Sequence, residues 1–436
     1  MRLLCTVLGV LVAFHAAQGQ DPLVLELEGV TDRRIPIAIP PAAAGPGSTD
    51  LAELVAEVLS YDLDFSGHFT VLSSQDYPAN FGGFTGDATQ ISFEGWRRTP
   101  AEFLIYTYVT ERDGALVAEC RLFDVYDGVQ VVGKRLSTSG RRWARQLAHQ
   151  FADEVVLFLT GRLGIATSQI VFSAGPSGEK EIFIADYDGA DARQLTHHGS
   201  ISITPEFSPD GTRLAYVSYK DRQQHLYVLT LATGESVPLS QAQGMNAAPS
   251  WSPDGSEVAV VRSTDGRPNI YLMSVDGSNV RQLTSERTVD SSPTFSPDGQ
   301  RIAFVSERVG APQIYVMNRN GEDVRRLSFQ GGSNYDPEWS PCGDYITYVV
   351  NRRGEGFQIY VMNADGQNPR RLTNSGGRNE SPSWSADSRH ILFSSSRRGP
   401  QELWTVTLET GQERLVPNLA GRGGQGPSWG PRRHPD

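Results

Sequence analysis

The apolar positions in the last two-thirds of the chain come in short, nearly unbroken runs. Ile302-Ala303-Phe304-Val305 is one, and Ile314-Tyr315-Val316-Met317 follows it. Runs this short, bounded by turn residues and rich in β-branched and aromatic side chains, predict strands buried on both faces. Pro297-Asp298-Gly299 supplies the turn before the first: proline presets φ, aspartate accepts from the turn, and glycine takes the left-handed corner. Asn320-Gly321 predicts the next hairpin, and Arg326-Leu327-Ser328 a short, charged outer strand. Pro293-Thr294-Phe295 predicts a short first strand. The pattern then recurs. Its serine falls at 208, 252, 296, 340 and 385, and Gly430 takes the place at 430, in steps of 44, 44, 44, 45 and 45 residues. A fixed period of this length built of strands predicts a β-propeller, one four-stranded blade per repeat.

The count is six blades, one of them split. Ile170–Ser173, Ile182–Ala185 and Gln194–Thr196 supply three strands without a first. Pro427-Ser428-Trp429-Gly430-Pro431 supplies a first strand with nothing after it. Joining the two closes the ring and leaves no open edge. The periodic aromatics Phe207, Trp251, Phe295, Trp339, Trp384 and Trp429 read as core.

Residues 1–19 have one charge, Arg2, ahead of an apolar run from Leu3 to Phe14, with small residues at Ala17-Gln18-Gly19. This predicts a secretory signal, too short to span a bilayer. Residues 20–34 read as an N-terminal arm, with Leu23, Leu25 and Leu27 alternating weakly. Residues 35–161 read as a small α/β domain, 162–168 as a linker, 169–431 as the propeller and 432–436 as a tail. In the α/β domain Ile35–Pro40 predicts a strand placed, by its prolines, near an edge or a strand end. Ser48, Thr49 or Asp50 caps a helix with Leu51, Leu54, Val55, Val58 and Leu59 on its apolar face. Phe69–Leu72 is a strand. Phe103–Val109, Ala115–Phe123 and Val129–Leu136 are three more, joined by turns at Asp113-Gly114 and Asp127-Gly128. Trp143, Leu147, Phe151, Val155 and Phe158 fall at helical spacing, with Gly161 as the stop.

The formal net charge is −11, and −12 once Arg2 leaves with the signal. That balance argues against a nucleic-acid binder, which carries a basic stripe. No later apolar stretch is long enough to cross a bilayer, so an exported monomer without direct membrane insertion is expected. The two remaining cysteines, Cys120 and Cys342, are expected to be free.

Gly426-Pro427-Ser428-Trp429-Gly430 matches the nucleophile elbow of serine hydrolases, but only six residues follow it, and it is also the sixth repeat of the blade pattern. Gly421–Gly426 matches a dinucleotide glycine pattern without the βαβ context that pattern needs. His197-His198 lacks partners at ligand spacing and reads as a solvated pair. Asp186-Tyr187-Asp188-Gly189 lacks the distal glutamate of a calcium loop and reads as a hairpin turn. No catalytic residue, metal or cofactor is expected. An exported propeller hydrolase or carbohydrate-binding module is the alternative class, with Asp290, Asp336 and Glu380 as its candidate acidic cluster.

Together, the strand Arg34-Ile35-Pro36-Ile37-Ala38-Ile39-Pro40, the stretch Ala185-Asp186-Tyr187-Asp188-Gly189 and the repeated aromatic-Ser-Pro-Asp-Gly resemble the TolB family, periplasmic components of the Tol–Pal system. The resemblance covers the whole chain. It implies a non-catalytic periplasmic scaffold that receives the lipoprotein Pal at the propeller's channel mouth and contacts TolA through the N-terminal arm. It further implies a role in outer-membrane integrity and in drawing that membrane inward at cell division. By position, the arm is Asp21 to Thr31, with Leu23, Leu25, Leu27 and Val30 facing TolA. The segments leading into the first strands, read as loops on one face, are the candidate Pal surface: Thr204, Met245, Asn246, Ala248, Asp290, Ser291, Ser292, Tyr335, Asp336, Glu380 and Ser381.

Overall fold

The computed structural model describes residues 33–79, 91–263, 266–285, 287–329 and 331–432. The signal segment, the arm with Leu23, Leu25, Leu27 and Val30, and His434 lie outside them.

The N-terminal region is one sheet with two long helices on one face. Its strands run in the order Phe69–Val71, Ile35–Ala38, Phe103–Arg112, Ala115–Asp124, Val129–Ser139, and Ala43–Ala44 also pairs with the third. Ile35–Ala38 is parallel to both neighbours and therefore interior. Pro36 is accommodated at the strand's start, so of the two sequence expectations for it the strand end holds and the edge does not. The helices Thr49–Phe65 and Ala144–Thr160 bury Leu51, Val55, Val58, Leu59, Leu147, Phe151 and Val155 against Ile37, Ile105 and Val109. The alternation of the strand sends Leu104 and Tyr106 to the other face, where Trp96 covers them. Gly161 ends the second helix in the left-handed conformation, φ 67°.

Six four-stranded antiparallel sheets follow. Blades 1 to 5 begin at Ser202–Phe207, Met245–Trp251, Asp290–Phe295, Ser333–Trp339 and Asn379–Trp384. Blade 6 is composite. Gln425–Trp429, the last strand of the chain, pairs with Gln169–Ala174, and Glu181–Asp186 and Arg193–Gln194 complete the sheet. The second strands are buried throughout, as their loss of alternation predicts: Ile302, Ala303, Phe304 and Val305 are at most 3% exposed. All six periodic aromatics are buried.

The Ser-Pro-Asp-Gly turn is a side-chain staple. Ser208 Oγ donates to Asp210 Oδ1 at 2.5 Å, and that carboxylate accepts the Thr212 N–H at 3.0 Å. The Arg213 N–H returns to Ser208 Oγ at 3.0 Å, and Gly211 takes φ 68°. The motif is thus backbone accounting at a tight corner. Gly430 replaces its serine at the ring's closure for a steric reason. A Cβ there would lie 2.8 Å from the Phe207 ring of blade 1.

The first strands are longer than the sequence suggests. Residues 202–204, 245–248, 290–292, 334–336 and 379–381, read as loops, belong to the strands. Their prolines had marked a strand start. Instead each strand pairs on both sides of its proline and absorbs the missing N–H in a bulge.

Candidate functional site

Each bulge places one residue in the left-handed region directly before a proline: Thr204 (φ 49°), Ala248 (46°), Ser292 (47°), Asp336 (44°), Ser381 (53°) and Gly426 (52°). Positive φ is disfavoured for any side chain with a Cβ, and proline further restricts the residue before it. Five of six blades accept that strain, at about 1–3 kcal/mol per residue. The benefit is geometric. The bulge turns these residues and the next polar side chain towards the axis, where the six strands enclose a cavity of about 430 Å³.

Two residues beyond each strained position is a ring of Glu206, Ser250, Thr294, Glu338, Ser383 and Ser428, all lining that cavity. Four of them bind the next blade. Glu206 Oε1 accepts the Trp251 N–H (3.4 Å) and Glu338 Oε1 that of Trp384 (3.1 Å). Ser383 Oγ accepts from Trp429 N (2.9 Å) and Ser428 Oγ from Phe207 N (3.4 Å). Ser428 is therefore a stitch in the ring closure. It sits within a strand paired to Gln169–Ala174, with no strand-to-helix turn at that serine among the described residues, which removes the elbow reading of its glycine-serine motif.

Sequence reasoning missed the two glutamates. They occupy blades 1 and 4, opposite each other in a ring of six. Both keep a part-exposed face on the channel and are otherwise enclosed by the strands that line it. Desolvation pushes each carboxyl up to about 8, only partly countered by the backbone N–H bonds, and the charge of Glu206 adds to the rise at Glu338. Glu338 Oε2 is buried without a partner. The acid binds its proton more tightly folded than unfolded, so its stability contribution is full below about 4.5 and declines as pH rises through 8. The slope is up to about 1.4 kcal/mol per pH unit per site where the two states differ by one proton. A Glu206→Gln, Glu338→Gln double variant should melt higher than wild type at pH 8.5, with the gap closing at pH 4.5. Equal pH slopes for the two proteins would refute the protonated channel.

The candidate Pal surface divides in two. Thr204, Met245, Ala248, Ser291, Ser292, Tyr335, Asp336, Glu380 and Ser381 keep exposed or part-exposed surface. Ser292 Oγ donates to Asp336 Oδ1 of the next blade at 3.3 Å. Burial, then the Glu380 charge, raises the Asp336 carboxyl above its ordinary range. Glu380 is itself held by Arg378 at 2.7 and 3.2 Å. Asn246 and Asp290, however, are 0% exposed. Asn246 accepts from Ser240 Oγ (2.7 Å) and donates to the Gln224, Ala242 and Gly244 carbonyls. Asp290 faces Arg308 at 3.5 Å. Asn246 thus ties its blade to the preceding one, as Asn379 does through Gln358, while Asp290 is turned inside its own blade. Asp290 therefore does not join Asp336 and Glu380 in one acidic cluster. His198 is also less solvated than its sequence context suggests. Its N–H donates to Glu181 Oε1 (2.5 Å), and its ring stacks on Tyr216.

A second polar centre joins the two domains. Asp62, from the first helix, accepts His149 Nδ1 and the Tyr187 hydroxyl, both at 2.7 Å. Arg145 pairs with Asp188, and Arg414 with Asp64 at 2.8 Å. His390 Nε2 donates to the Phe65 carbonyl at 3.0 Å. Around them Tyr61, Phe65, Tyr187, His390 and Trp429 form one aromatic cluster. The closing strand thus ends inside the domain seam, where Trp429 Nε1 donates to Ser168 Oγ at 2.8 Å. Burial, then the Arg389 charge, drives His68 down to about 4, so it meets that guanidinium as a neutral ring.

This is a six-bladed propeller, closed by its own last strand and docked through that closure on a small α/β domain. The chain belongs to the TolB family. Residues 157–433 match the TolB beta propeller domain and 23–131 the TolB amino-terminal domain. It is 36% identical over 231 residues to the Tol-Pal system protein TolB of Nitrosococcus oceani, covering 51% of each chain. It is 34% identical over 254 residues to that of Roseobacter denitrificans, covering 56% of each. The matched stretch therefore spans about half the length of these curated relatives. The crystal structure of TolB from Acinetobacter baumannii superposes with a TM-score of 0.79 at 25% identity, over 92% of this chain and 97% of that one. No helix among the described residues is long and apolar enough to cross a membrane.

Proposed function

We propose that the chain is a periplasmic, non-catalytic scaffold of the Tol–Pal system. Its channel mouth receives the lipoprotein Pal and its N-terminal arm engages TolA, and through both it serves outer-membrane integrity and invagination at division. The observation that carries this reading is the ring of strained pre-proline residues. Strain is accepted in five of the six blades, and it holds Thr204, Ser292, Asp336 and Ser381 at fixed places around an open channel. Strain of this kind clusters at binding sites, and polar groups on rigid bulges meet a partner with little further ordering cost. Membership of the TolB family supports the choice of partner.

A Thr204→Arg, Ser292→Arg, Ser381→Arg variant tests it. These three have part-exposed side chains, whereas the buried Asn246 and Asp290 would report on folding. Purified Pal should bind the variant at least about tenfold more weakly, a loss of about 1.4 kcal/mol, with an unchanged melting temperature. Wild-type affinity in the folded variant would remove the channel mouth as the Pal surface.

A further inference from the structure

The polar centre between the domains contains a group that its own hydrogen bonds leave unused. His149 is 3% exposed, and its Nδ1 is taken by Asp62. Its Nε2 is buried with no partner. A nitrogen of this ring and one oxygen each from Asp186 and Asp188 lie within 4.8 Å of one another. Since Nδ1 already faces Asp62, Nε2 is the atom left for a ligand.

We propose that His149, Asp186 and Asp188 form a site for a divalent transition-metal ion, Zn²⁺ or Mn²⁺, that staples the α/β domain to the propeller. Three features carry it. The first is the donor set. One imidazole and two carboxylates suit these ions, whereas Ca²⁺ and Mg²⁺ take oxygen alone. Ligands about 2.0–2.2 Å from a shared ion sit roughly 3.4 Å apart in a tetrahedron, so small side-chain rotations close the remaining gap.

The second is the support behind the ligands. A metal-bound histidine donates its other N–H to a carboxylate, which fixes tautomer and orientation. Asp62 is that carboxylate, and the Tyr187 hydroxyl holds its second oxygen at 2.7 Å. Asp188 is fixed in turn by Arg145 and by the Ala190 N–H at 3.0 Å.

The third is charge and access. Asp62, Asp186 and Asp188 bring three negative charges and Arg145 one positive. Against the burial that would lower it, the Asp62 charge holds the His149 imidazole up at about 9, so without an ion the balance is −1, and a divalent cation would enter by displacing the ring proton. Asp186 and His149 also line a cleft of about 980 Å³ between the domains, which gives an ion a path in and leaves water for its remaining positions.

The ligands come from both sides of the seam. His149 is on the second long helix, and Asp186 and Asp188 are at the hairpin turn of blade 6. A bound ion would therefore hold the domains together.

The test uses tag-free full-length protein stripped with EDTA. Co²⁺ serves as a spectroscopic probe and Zn²⁺ is titrated by calorimetry. One equivalent should bind, with visible Co²⁺ bands, and Zn²⁺ should raise the melting temperature. Asp186→Asn should weaken binding at least about tenfold, the lower bound for losing a metal-site group, and abolish the Zn²⁺ shift in melting. Asp186 is part-exposed at the cleft, so that variant keeps the Asp62 and Arg145 contacts and should fold. His149→Gln should behave alike where it folds. Absence of saturable binding by wild type, or binding unchanged in Asp186→Asn, would overturn the site.

Discussion

A chain ending at Gly421 should lose most of its stability. The deletion removes residues 422–436, in which Gln425–Trp429 is the one strand among the described residues, but that strand has more than one neighbour. It pairs with Gln169–Ala174, and its backbone and side chains also bond to blades 1 and 5 through Phe207 N and Ser383 Oγ. Without it, Ile170 and Val171, both 0% exposed, become an open edge. Trp429 also leaves the aromatic cluster at the domain seam. Truncating a buried aromatic alone costs about 3–5 kcal/mol. A domain's whole stability is about 5–15 kcal/mol, so the full deletion should leave little. The comparison is calorimetric, against both full length and Trp429→Ala. The deletion should melt well below Trp429→Ala or show no cooperative transition. If the two melt together, the cost belongs to one indole and ring closure contributes nothing. An unchanged melt would sink both explanations.

How much of this was legible in the sequence follows from what each signal encodes. The period of the Ser-Pro-Asp-Gly turn reports a local backbone requirement repeated per blade, so it counts blades directly. The orphan strand at Trp429 and the missing one before Ile170 could be joined because a ring leaves no other partner for either. The bulges were hidden by their own prolines. Asp290-Ser291-Ser292-Pro293 looks like a loop until the left-handed Ser292 lets the strand resume beyond it. That error carried Asn246 and Asp290 onto the candidate surface when both side chains are buried, one tied to the preceding blade and the other facing Arg308. The channel glutamates had a readable signal. Aligning the residue after each proline gives Glu206, Ser250, Thr294, Glu338, Ser383 and Ser428, and the two acids stand out against hydroxyls three blades apart. The domain seam had none. Asp62, His149 and Tyr187 are separated by 87 and 38 residues, and no local periodicity links a helix face to a hairpin turn in another domain. Asp186-Tyr187-Asp188-Gly189 was legible as a turn, and it is one. Its second use, presenting Tyr187 and two carboxylates to the α/β domain, appears only once the domains meet.

Asp62→Ala should destabilise the protein by about 3–5 kcal/mol, the cost of removing one partner from a buried charged pair. The carboxylate is 3% exposed and both its oxygens are used, one by His149 and one by Tyr187. Its loss leaves a buried imidazole and a buried hydroxyl without their acceptor. The Tyr187 side chain is nearly fully buried, so water cannot replace the carboxylate at low cost. The effect should also differ in kind from that of a core cavity. Asp62 and His149 belong to the α/β domain and Tyr187 to blade 6, so the loss falls on the contact between domains. Blades 2 to 4 supply none of the seam contacts named above and should keep their cooperativity. Urea unfolding followed by tryptophan fluorescence separates the cases, because Trp429 lies in the seam cluster while Trp251 and Trp339 lie in distant blades. The expected result is an early transition sensed at Trp429 with a later one for the ring. Asp62→Asn, which keeps an oxygen for the Tyr187 hydroxyl, should recover part of the loss. A single transition at the wild-type midpoint in Asp62→Ala would show that the aromatic contacts around Phe65 hold the domains without this carboxylate.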